Sequence, residues 1–97
     1  IAPVHFGGHP ADMCAVRQIA DQRGLFVVED AAHALGAVGP DGPVGNCHHS
    51  DATIFSFHPV KHIATGEGGM VTTNAEAIFE RLTLFRNHGT HREPERM

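Results

Sequence analysis

The sequence has 97 residues, of which 41% are hydrophobic and 19% are charged, a composition typical of one folded domain and not of a disordered tail. Its formal net charge is −4, with a single lysine among the seven basic residues, so we expect no basic stripe that binds nucleic acid. No apolar run approaches the roughly 20 residues that a membrane-spanning helix needs, and no segment resembles a signal peptide.

Cysteine and histidine usage argues against disulfide and metal chemistry. Cys14 and Cys47 lack the CxxC spacing of redox and metal motifs, so a reduced, cytosolic setting is favoured over a disulfide. The nine histidines are scattered, and their densest group, within residues 48–62, has no accompanying cysteine. Structural zinc sites usually show two ligand pairs at tight spacing, so the pattern predicts no metal site.

The N-terminal part predicts a strand, a helix and a second strand. Ile1 to Phe6 is apolar enough for a short strand. Pro10 is tolerated in a first helical turn, Asp12 favours the positive helix start, and Gly24 supplies the stop. The continuous apolar run from Leu25 to Val28 is typical of a strand that is buried on both faces. Such a unit has parallel strands and a right-handed crossover.

The C-terminal part predicts a loop, two strands and a helix. Glycines and prolines mark residues 36–45 as a loop, which matches neither a Walker loop nor a GxGxxG motif. Ala52 to Phe57 predicts a third strand, and Met70 to Thr73 a fourth that runs antiparallel to it. Asn74 is the expected N-cap of the last helix, and Gly89 its end. Three apolar residues form a stripe on this helix: Ile78, Leu82 and Phe85.

These elements give the order β-α-β-β-β-α, an α/β class with an incomplete sheet. The chain opens on Ile1 without a methionine and closes on a charged run, Arg92 to Arg96. Both observations, together with the incomplete sheet, predict a piece of a longer protein.

Lys61 is the only lysine and follows an apolar strand beside a glycine cluster. A lysine that loses part of its hydration there becomes a nucleophilic amine, although a solvated loop cation is the simpler interpretation of Lys61 alone. Asp30 ends the second predicted strand, where functional groups of parallel sheets gather. A lysine and a carboxylate are the minimum of a pyridoxal phosphate (PLP) site, since the lysine bonds to the cofactor aldehyde and the carboxylate pairs with the pyridine nitrogen.

Two further residues fit that hypothesis. Ser56 stands at a strand end, where its hydroxyl can reach the cofactor phosphate, and His33 follows Asp30 closely enough to touch the ring or its 3′-oxygen. Each has a structural alternative: Ser56 as a plain strand end, and His33 as a partly buried histidine with satisfied hydrogen bonds.

Five segments make the sequence recognisable: VVEDAAHALG (27–36), SD (50–51), SFHPVK (56–61), GEGGMVTTN (66–74) and RNHG (86–89). In combination they resemble the DegT/DnrJ/EryC1/StrS aminotransferases, which are PLP-dependent enzymes that act on nucleotide-linked keto-sugars. The sequences of the last three segments are most similar to those of the branch that aminates UDP-linked 4-keto-6-deoxy-hexosamines on the way to pseudaminic acid.

The resemblance implies a role for each site residue. Lys61 matches the internal aldimine lysine, and Asp30 matches the partner of the pyridine nitrogen. His33 matches a His or Gln position near the ring, and Ser56 matches a hydroxyl that helps to hold the phosphate. The family also contains 3-dehydratases with histidine in place of the lysine, so Lys61 favours transamination.

The resemblance also implies the aspartate aminotransferase-like fold (fold type I), a mostly parallel sheet with flanking helices. Residues 1–97 would be part of its PLP-binding large domain, without the upstream phosphate loop and the C-terminal small domain. The implied enzyme is cytoplasmic and homodimeric with shared active sites, and glutamate is the common amino donor. Three alternatives stay open: a PLP enzyme of another sugar pathway, a non-catalytic binding or regulatory module that keeps the fold, and a histidine-based metal protein.

Overall fold

The computed structural model describes residues 1–90, so the predicted charged run at 92–96 lies outside the described residues. The α/β class is confirmed. The N-terminal segment forms a single 3₁₀ turn at Phe6–Gly8 before the first helix. The helices and strands are α1 (Met13–Arg23), β1 (Val28–Asp30), β2 (Val38–Gly39), β3 (Gly42–Pro43), β4 (Ala52–Ser56), β5 (Gly69–Thr72) and α2 (Glu76–Arg86).

The main sheet has the strand order β1-β4-β5. β1 and β4 are parallel, with Asp30 opposite Ile54. β5 runs antiparallel to β4, as the short connection through Lys61 predicted. The sheet is therefore mixed, and it agrees with the predicted part of a larger α/β sheet.

The N-terminal segment pairs with β1 through one parallel bridge, between Val4 and Asp30. The predicted strand from Ile1 to Phe6 is therefore too long. Pro3 accepts a hydrogen bond from the Asp30 N–H at 2.9 Å, but it has no N–H of its own to donate, which interrupts the ladder. Phe6 already belongs to the 3₁₀ turn.

Helix α1 begins three residues after Pro10 and has Asp12 as its N-cap. The Asp12 carboxylate accepts a hydrogen bond from the Ala15 N–H at 3.0 Å, which satisfies a donor that the first turn leaves free. Gly24 ends the helix in the left-handed conformation, as predicted, with φ of 61°. The predicted roles of Asp12 at the helix start and of Gly24 at its end agree with the structure. The prediction that Pro10 lies in the first helical turn is wrong, because the helix begins at Met13.

Strand β1 starts later than the apolar run from Leu25 to Val28 predicted. Leu25 still belongs to the helix end, because its N–H donates to the Ala20 carbonyl at 2.9 Å. Phe26 is 72% exposed, whereas Val27 is fully buried. Burial on both faces is therefore wrong for the first half of the run, and pairing continues instead through Asp30.

Residues 36–45 are not only a loop, because they contain the antiparallel hairpin β2–β3. Its two-residue tip is Pro40-Asp41, followed by Gly42 at a positive φ of 108°. Pro-Asp-Gly is a strong turn signal, which the sequence carries at these positions.

Helix α2 is capped differently from the prediction. Its N-cap is Ala75, whose N–H donates to the Thr73 hydroxyl at 3.1 Å. The Asn74 amide instead donates to the Asn46 carbonyl at 2.9 Å, so Asn74 ties two loops together. The Gly89 N–H bonds to the Leu84 carbonyl near the predicted helix end. Of the predicted stripe, Phe85 is 67% exposed.

A small core cluster of Ala31, Ala34 and Phe55 lies beneath the carboxyl ends of β1 and β4, with four partly buried apolar residues packed against it. The other buried apolar residues among those described are Ala20, Val27, Cys47 and Ala52. Gly45 approaches this core so closely that an added Cβ would lie 2.7 Å from the Phe55 ring. Among residues 1–90, neither helix has the length and apolar character needed to cross a membrane.

Candidate active site

The carboxyl ends of β1 and β4 place two predicted site residues at one edge of the sheet. Asp30 is the last residue of β1, and Ser56 is the last residue of β4. The two strands are parallel neighbours with Asp30 opposite Ile54, and paired strands lie about 4.8 Å apart. Sheet pairing alone therefore fixes the relative position of these two residues.

Asp30 is half-buried and held on several sides. Its N–H donates to the Pro3 carbonyl at 2.9 Å, and its carbonyl accepts from the His5 N–H at 3.0 Å. The Oδ1 atom accepts a hydrogen bond from the Ala32 N–H at 3.1 Å. Within residues 1–90 the Oδ2 atom makes no hydrogen bond, so one carboxylate oxygen stays available to a ligand.

Directly before Asp30, Glu29 forms a buried polar network that the sequence did not reveal. One carboxylate oxygen of Glu29 lies 2.6 Å from Nε2 of His5. The other accepts hydrogen bonds from the hydroxyls of Ser50 and Thr53. His5 and Thr53 are fully buried, and Glu29 is 5% exposed. The only signal in the sequence was a glutamate at the end of an apolar run.

The network also assigns the proton on His5. The Nδ1 atom of His5 accepts a hydrogen bond from the Ala11 N–H at 3.0 Å. The ring proton therefore lies on Nε2, which donates to Glu29. Three donors thus converge on one carboxylate, and they join β1, β4 and the N-terminal segment just below Asp30.

Lys61 lies in a turn that follows β4. Its N–H donates to the His58 carbonyl at 2.9 Å, and its side chain is half-buried. Within residues 1–90 the Lys61 ammonium makes no hydrogen bond and no ion pair. The amine is therefore available for chemistry.

His62 connects this turn to the segment after β1. Its Nε2 atom lies 2.8 Å from the Leu35 carbonyl, which accepts the ring proton. Leu35 follows the tight turn that Ala31 and Ala34 close by a backbone hydrogen bond of 2.9 Å. Because His33 lies within that turn, the His62 bond brings the Lys61 segment beside the Asp30–His33 segment.

The glycine cluster after Lys61 returns the chain to the sheet. The Phe57 N–H donates to the Gly68 carbonyl at 2.8 Å, and the Thr65 N–H donates to the Phe57 carbonyl at 3.1 Å. A Cβ on Gly68 would collide with the Thr65 hydroxyl unless that side chain moved, so glycine allows this close approach. The cluster therefore closes the loop that carries Lys61.

His33 and Ser56 are less constrained than Asp30. His33 is exposed, and its ring centroid lies 5.9 Å from that of Phe6. The Ser56 hydroxyl accepts a hydrogen bond from the His58 N–H at 3.3 Å, which leaves its own hydrogen free to donate. Within residues 1–90 no hydrogen bond or ion pair joins Asp30, His33, Ser56 and Lys61 to one another. They share an edge of the sheet without forming a contact network.

These four side chains fit the donor set that PLP requires. Within residues 1–90, Asp30 offers a free carboxylate oxygen on a fixed backbone, Lys61 an unpaired primary amine, and Ser56 an unused hydroxyl donor. A lysine and a carboxylate are the partners by which proteins hold this cofactor and tune its ring. None of the four residues lines the cleft between α1 and the β2–β3 hairpin.

Comparison with known proteins identifies a family. The sequence model of the DegT/DnrJ/EryC1/StrS aminotransferase family matches residues 1–97. The erythromycin biosynthesis sensory transduction protein EryC1 of Saccharopolyspora erythraea is 50% identical over 91 residues, which cover 93% of this chain and 24% of EryC1.

Solved structures agree with that match. PseC of Helicobacter pylori, an aminotransferase involved in the biosynthesis of pseudaminic acid, superposes with a TM-score of 0.88 at 34% identity, over 96% of this chain and 24% of PseC. DesI, solved in the presence of its TDP-sugar product, superposes with a TM-score of 0.86 at 36% identity, over 94% of this chain and 23% of DesI. The chain thus spans about a quarter of the length of these proteins and matches part of their α/β fold.

Proposed function

The chain belongs to the DegT/DnrJ/EryC1/StrS aminotransferase family, and we propose that it carries the catalytic lysine of a PLP-dependent sugar aminotransferase. The proposed reaction transfers an amino group from glutamate to a nucleotide-linked 4-keto-6-deoxy sugar. The observation that carries the proposal is the shared edge of the sheet, where Asp30 and Ser56 end parallel strands and the His62 bond draws the Lys61 turn alongside.

Each residue has a role that its surroundings support. The fixed carboxylate of Asp30, with one oxygen free, holds a proton on the pyridine nitrogen of the cofactor. The Ser56 hydroxyl would donate to the cofactor phosphate. His33, exposed at the turn after β1, would contact the ring. Lys61 would supply the amine that binds the cofactor aldehyde.

Proton transfer is the main task of this chain's own residues. PLP, when bound, supplies a ring that accepts electron density from the substrate carbon. Once the amino donor has displaced it from the cofactor, the free amine of Lys61 would remove a proton from the substrate carbon as a general base and, as a general acid, deliver it to the carbon that was the cofactor aldehyde. The negative charge of Asp30 stabilises the protonated ring nitrogen while this happens.

The substrate branch and the setting belong to the same proposal. The segments around Lys61 and the likeness to PseC support a UDP-linked hexosamine as the acceptor. The likeness to DesI, solved with a TDP-sugar product, supports a nucleotide sugar in general. We place residues 1–97 in the PLP-binding large domain of a homodimer. The two free cysteines of the described residues support a cytoplasmic setting.

Borohydride reduction with PLP tests the proposal directly. The complete natural protein is incubated with PLP, reduced, digested and mapped by mass spectrometry. We expect a pyridoxyl adduct on Lys61 and none in the Lys61→Arg variant. A folded protein without an adduct would refute the proposal and would favour a non-catalytic module that keeps the fold.

A further inference from the structure

A second group of side chains with ligand chemistry lies away from the candidate active site. Asp41 at the tip of the β2–β3 hairpin, His48 and His49 each place one donor atom within 4.8 Å of the other two. We propose that these three residues bind a divalent transition-metal ion, with Zn²⁺ as the best match. The scattered histidines predicted no metal site, whereas the folded hairpin brings the Asp41 carboxylate next to the His48–His49 pair.

The side chain of Asn46 pre-organises the three ligands. Its amide donates to the Asp41 carbonyl at 2.8 Å, and its side-chain oxygen accepts from the His48 N–H at 3.0 Å. One side chain thus links the backbone of the hairpin tip to that of the histidine pair. Gly42 makes room for it, because a Cβ at that position would lie 3.0 Å from the Asn46 amide nitrogen.

The segment that carries the histidines is also anchored in the protein. Cys47, between Asn46 and His48, is buried and adopts a positive φ of 55°. Its thiol lies 3.3 Å from the Thr72 carbonyl oxygen on β5. A buried residue in an unusual backbone conformation turns the adjacent His48 outward, where it is exposed. The ligands therefore project from a fixed backbone.

The donor set suits a borderline ion. Two imidazoles and one carboxylate match zinc, with bonds of about 2.0–2.2 Å, and open positions filled by water or another ligand. Tetrahedral ligands then lie about 3.3 Å apart. His49 Nε2 and Asp41 Oδ2 are already 2.9 Å apart, and the rings of His48 and His49 meet edge to face at 4.5 Å. Small side-chain rotations close the remaining distance.

The electrostatic surroundings favour a cation. The three residues line a cavity of about 640 Å³ that is also lined by His9, Asp12 and Cys14. No lysine or arginine is among the lining residues of this part of the described chain. The histidine pair precedes β4, whereas Ser56 ends it and Lys61 follows it, so the metal site and the candidate active site lie at opposite ends of that strand.

Zinc binding to the tag-free, PLP-loaded complete protein tests this inference. The protein is stripped with a chelator, dialysed against buffered Zn²⁺ and assayed for bound metal. We expect about one Zn²⁺ per chain at the proposed site. His49→Gln keeps a hydrogen-bond partner for Asp41 but loses the ring ligand, and we expect it to weaken Zn²⁺ binding at least tenfold. Asn46→Ala, which disrupts the organising contacts, should weaken binding about 10- to 100-fold.

Matched variants separate this site from other histidines and thiols. His88→Asn replaces an exposed histidine at a positive φ of 56° with a residue that tolerates that conformation, and it should leave Zn²⁺ binding unchanged. Equal Zn²⁺ affinity in wild type, His49→Gln and Asp41→Asn would overturn the inference. So would an absence of binding, or binding that only Cys14→Ser removes. The readout does not depend on transaminase activity, so its failure is distinguishable from failure of the proposed function.

Discussion

Glu29 and Lys61 are two ionisable residues near the candidate active site, and they differ in burial and in hydrogen bonding. Glu29 is 5% exposed and receives hydrogen bonds from His5, Ser50 and Thr53. Lys61 is half-buried, and within residues 1–90 its ammonium makes no hydrogen bond or ion pair. The first arrangement stabilises a fold, and the second leaves a reactive group free.

The difference follows from the cost of burying charge. A buried carboxylate is tolerated only when hydrogen bonds replace the water that it loses. Glu29 meets that condition and joins three segments directly beneath Asp30. Lys61 does not need to meet it, because its turn lies at the surface of the described chain. We infer that the Glu29 network fixes the position of Asp30, while the Lys61 turn keeps the freedom that proton transfer requires.

The largest effect should come from removing the reactive group. Lys61→Ala should lower turnover of the complete enzyme by at least about 10⁴-fold, because both the cofactor bond and the general base are lost. Stability should change little, since the side chain makes no polar contact within residues 1–90. Steady-state kinetics and thermal unfolding measure the two quantities. An active Lys61→Ala enzyme would remove Lys61 from the mechanism.

The opposite pattern is expected for Glu29→Ala. Loss of the carboxylate leaves the His5 ring and two hydroxyls without their partner, and should lower the free energy of unfolding by about 3–5 kcal/mol, because each buried donor left unsatisfied costs about 1–3 kcal/mol. Glu67→Ala, at an exposed loop position, is the matched control and should change it by less than about 0.5 kcal/mol. Denaturant titration measures both. Equal stability of the two variants would mean that the buried network contributes nothing.

Asp30→Asn tests the comparison from a residue that follows Glu29 in β1 and belongs, with Lys61, to the candidate active site. Its backbone is fixed by the ladder with Pro3 and His5, and its free carboxylate oxygen faces the proposed cofactor. The amide keeps the size of the side chain and removes its charge. We expect turnover to fall about 10²- to 10³-fold while some cofactor stays bound and the unfolding midpoint stays near that of wild type. Unchanged turnover would contradict the proposed pairing with the ring nitrogen.

Local patterns in the sequence predicted most of the fold. The Gly24 stop, the antiparallel β4–β5 pair and the α/β class depend on neighbours along the chain, which periodicity and turn chemistry describe well. The errors occurred where distant segments compete for a backbone or side chain. Pro3 interrupts a ladder with β1, and Asn74 bonds to Asn46 instead of capping α2.

The candidate site shows the same division. Asp30 and Ser56 could be placed at one edge of the sheet, because parallel strands align their carboxyl ends. The partners of Glu29 could not, because His5 lies 24 residues away in sequence and nothing local marks the pair. The Asp41–His49 contact was not predicted either, because it depends on the β2–β3 hairpin. The Pro-Asp-Gly turn marks the tip of that hairpin but does not indicate which residues lie beside it.

The smallest effect tests the link between the two regions. His62 joins the Lys61 turn to the segment after β1 through a single hydrogen bond of 2.8 Å to the Leu35 carbonyl. The ring is exposed, and a net contribution of about 1 kcal/mol is typical of one neutral hydrogen bond. His62→Ala should therefore lower kcat roughly fivefold by loosening the position of Lys61, and the free energy of unfolding should fall by no more than about 1 kcal/mol. His62→Gln retains a donor and should recover part of the loss. Within residues 1–90 the His58 ring accepts only the Val60 N–H, at 3.3 Å, so His58→Ala controls for a general loss of order in the turn. If His62→Ala and His58→Ala lower kcat equally and glutamine restores nothing, the contact with Leu35 does not position Lys61. A loss of kcat that is specific to His62→Ala and is partly restored by glutamine would show that the hydrogen bond to Leu35 positions Lys61.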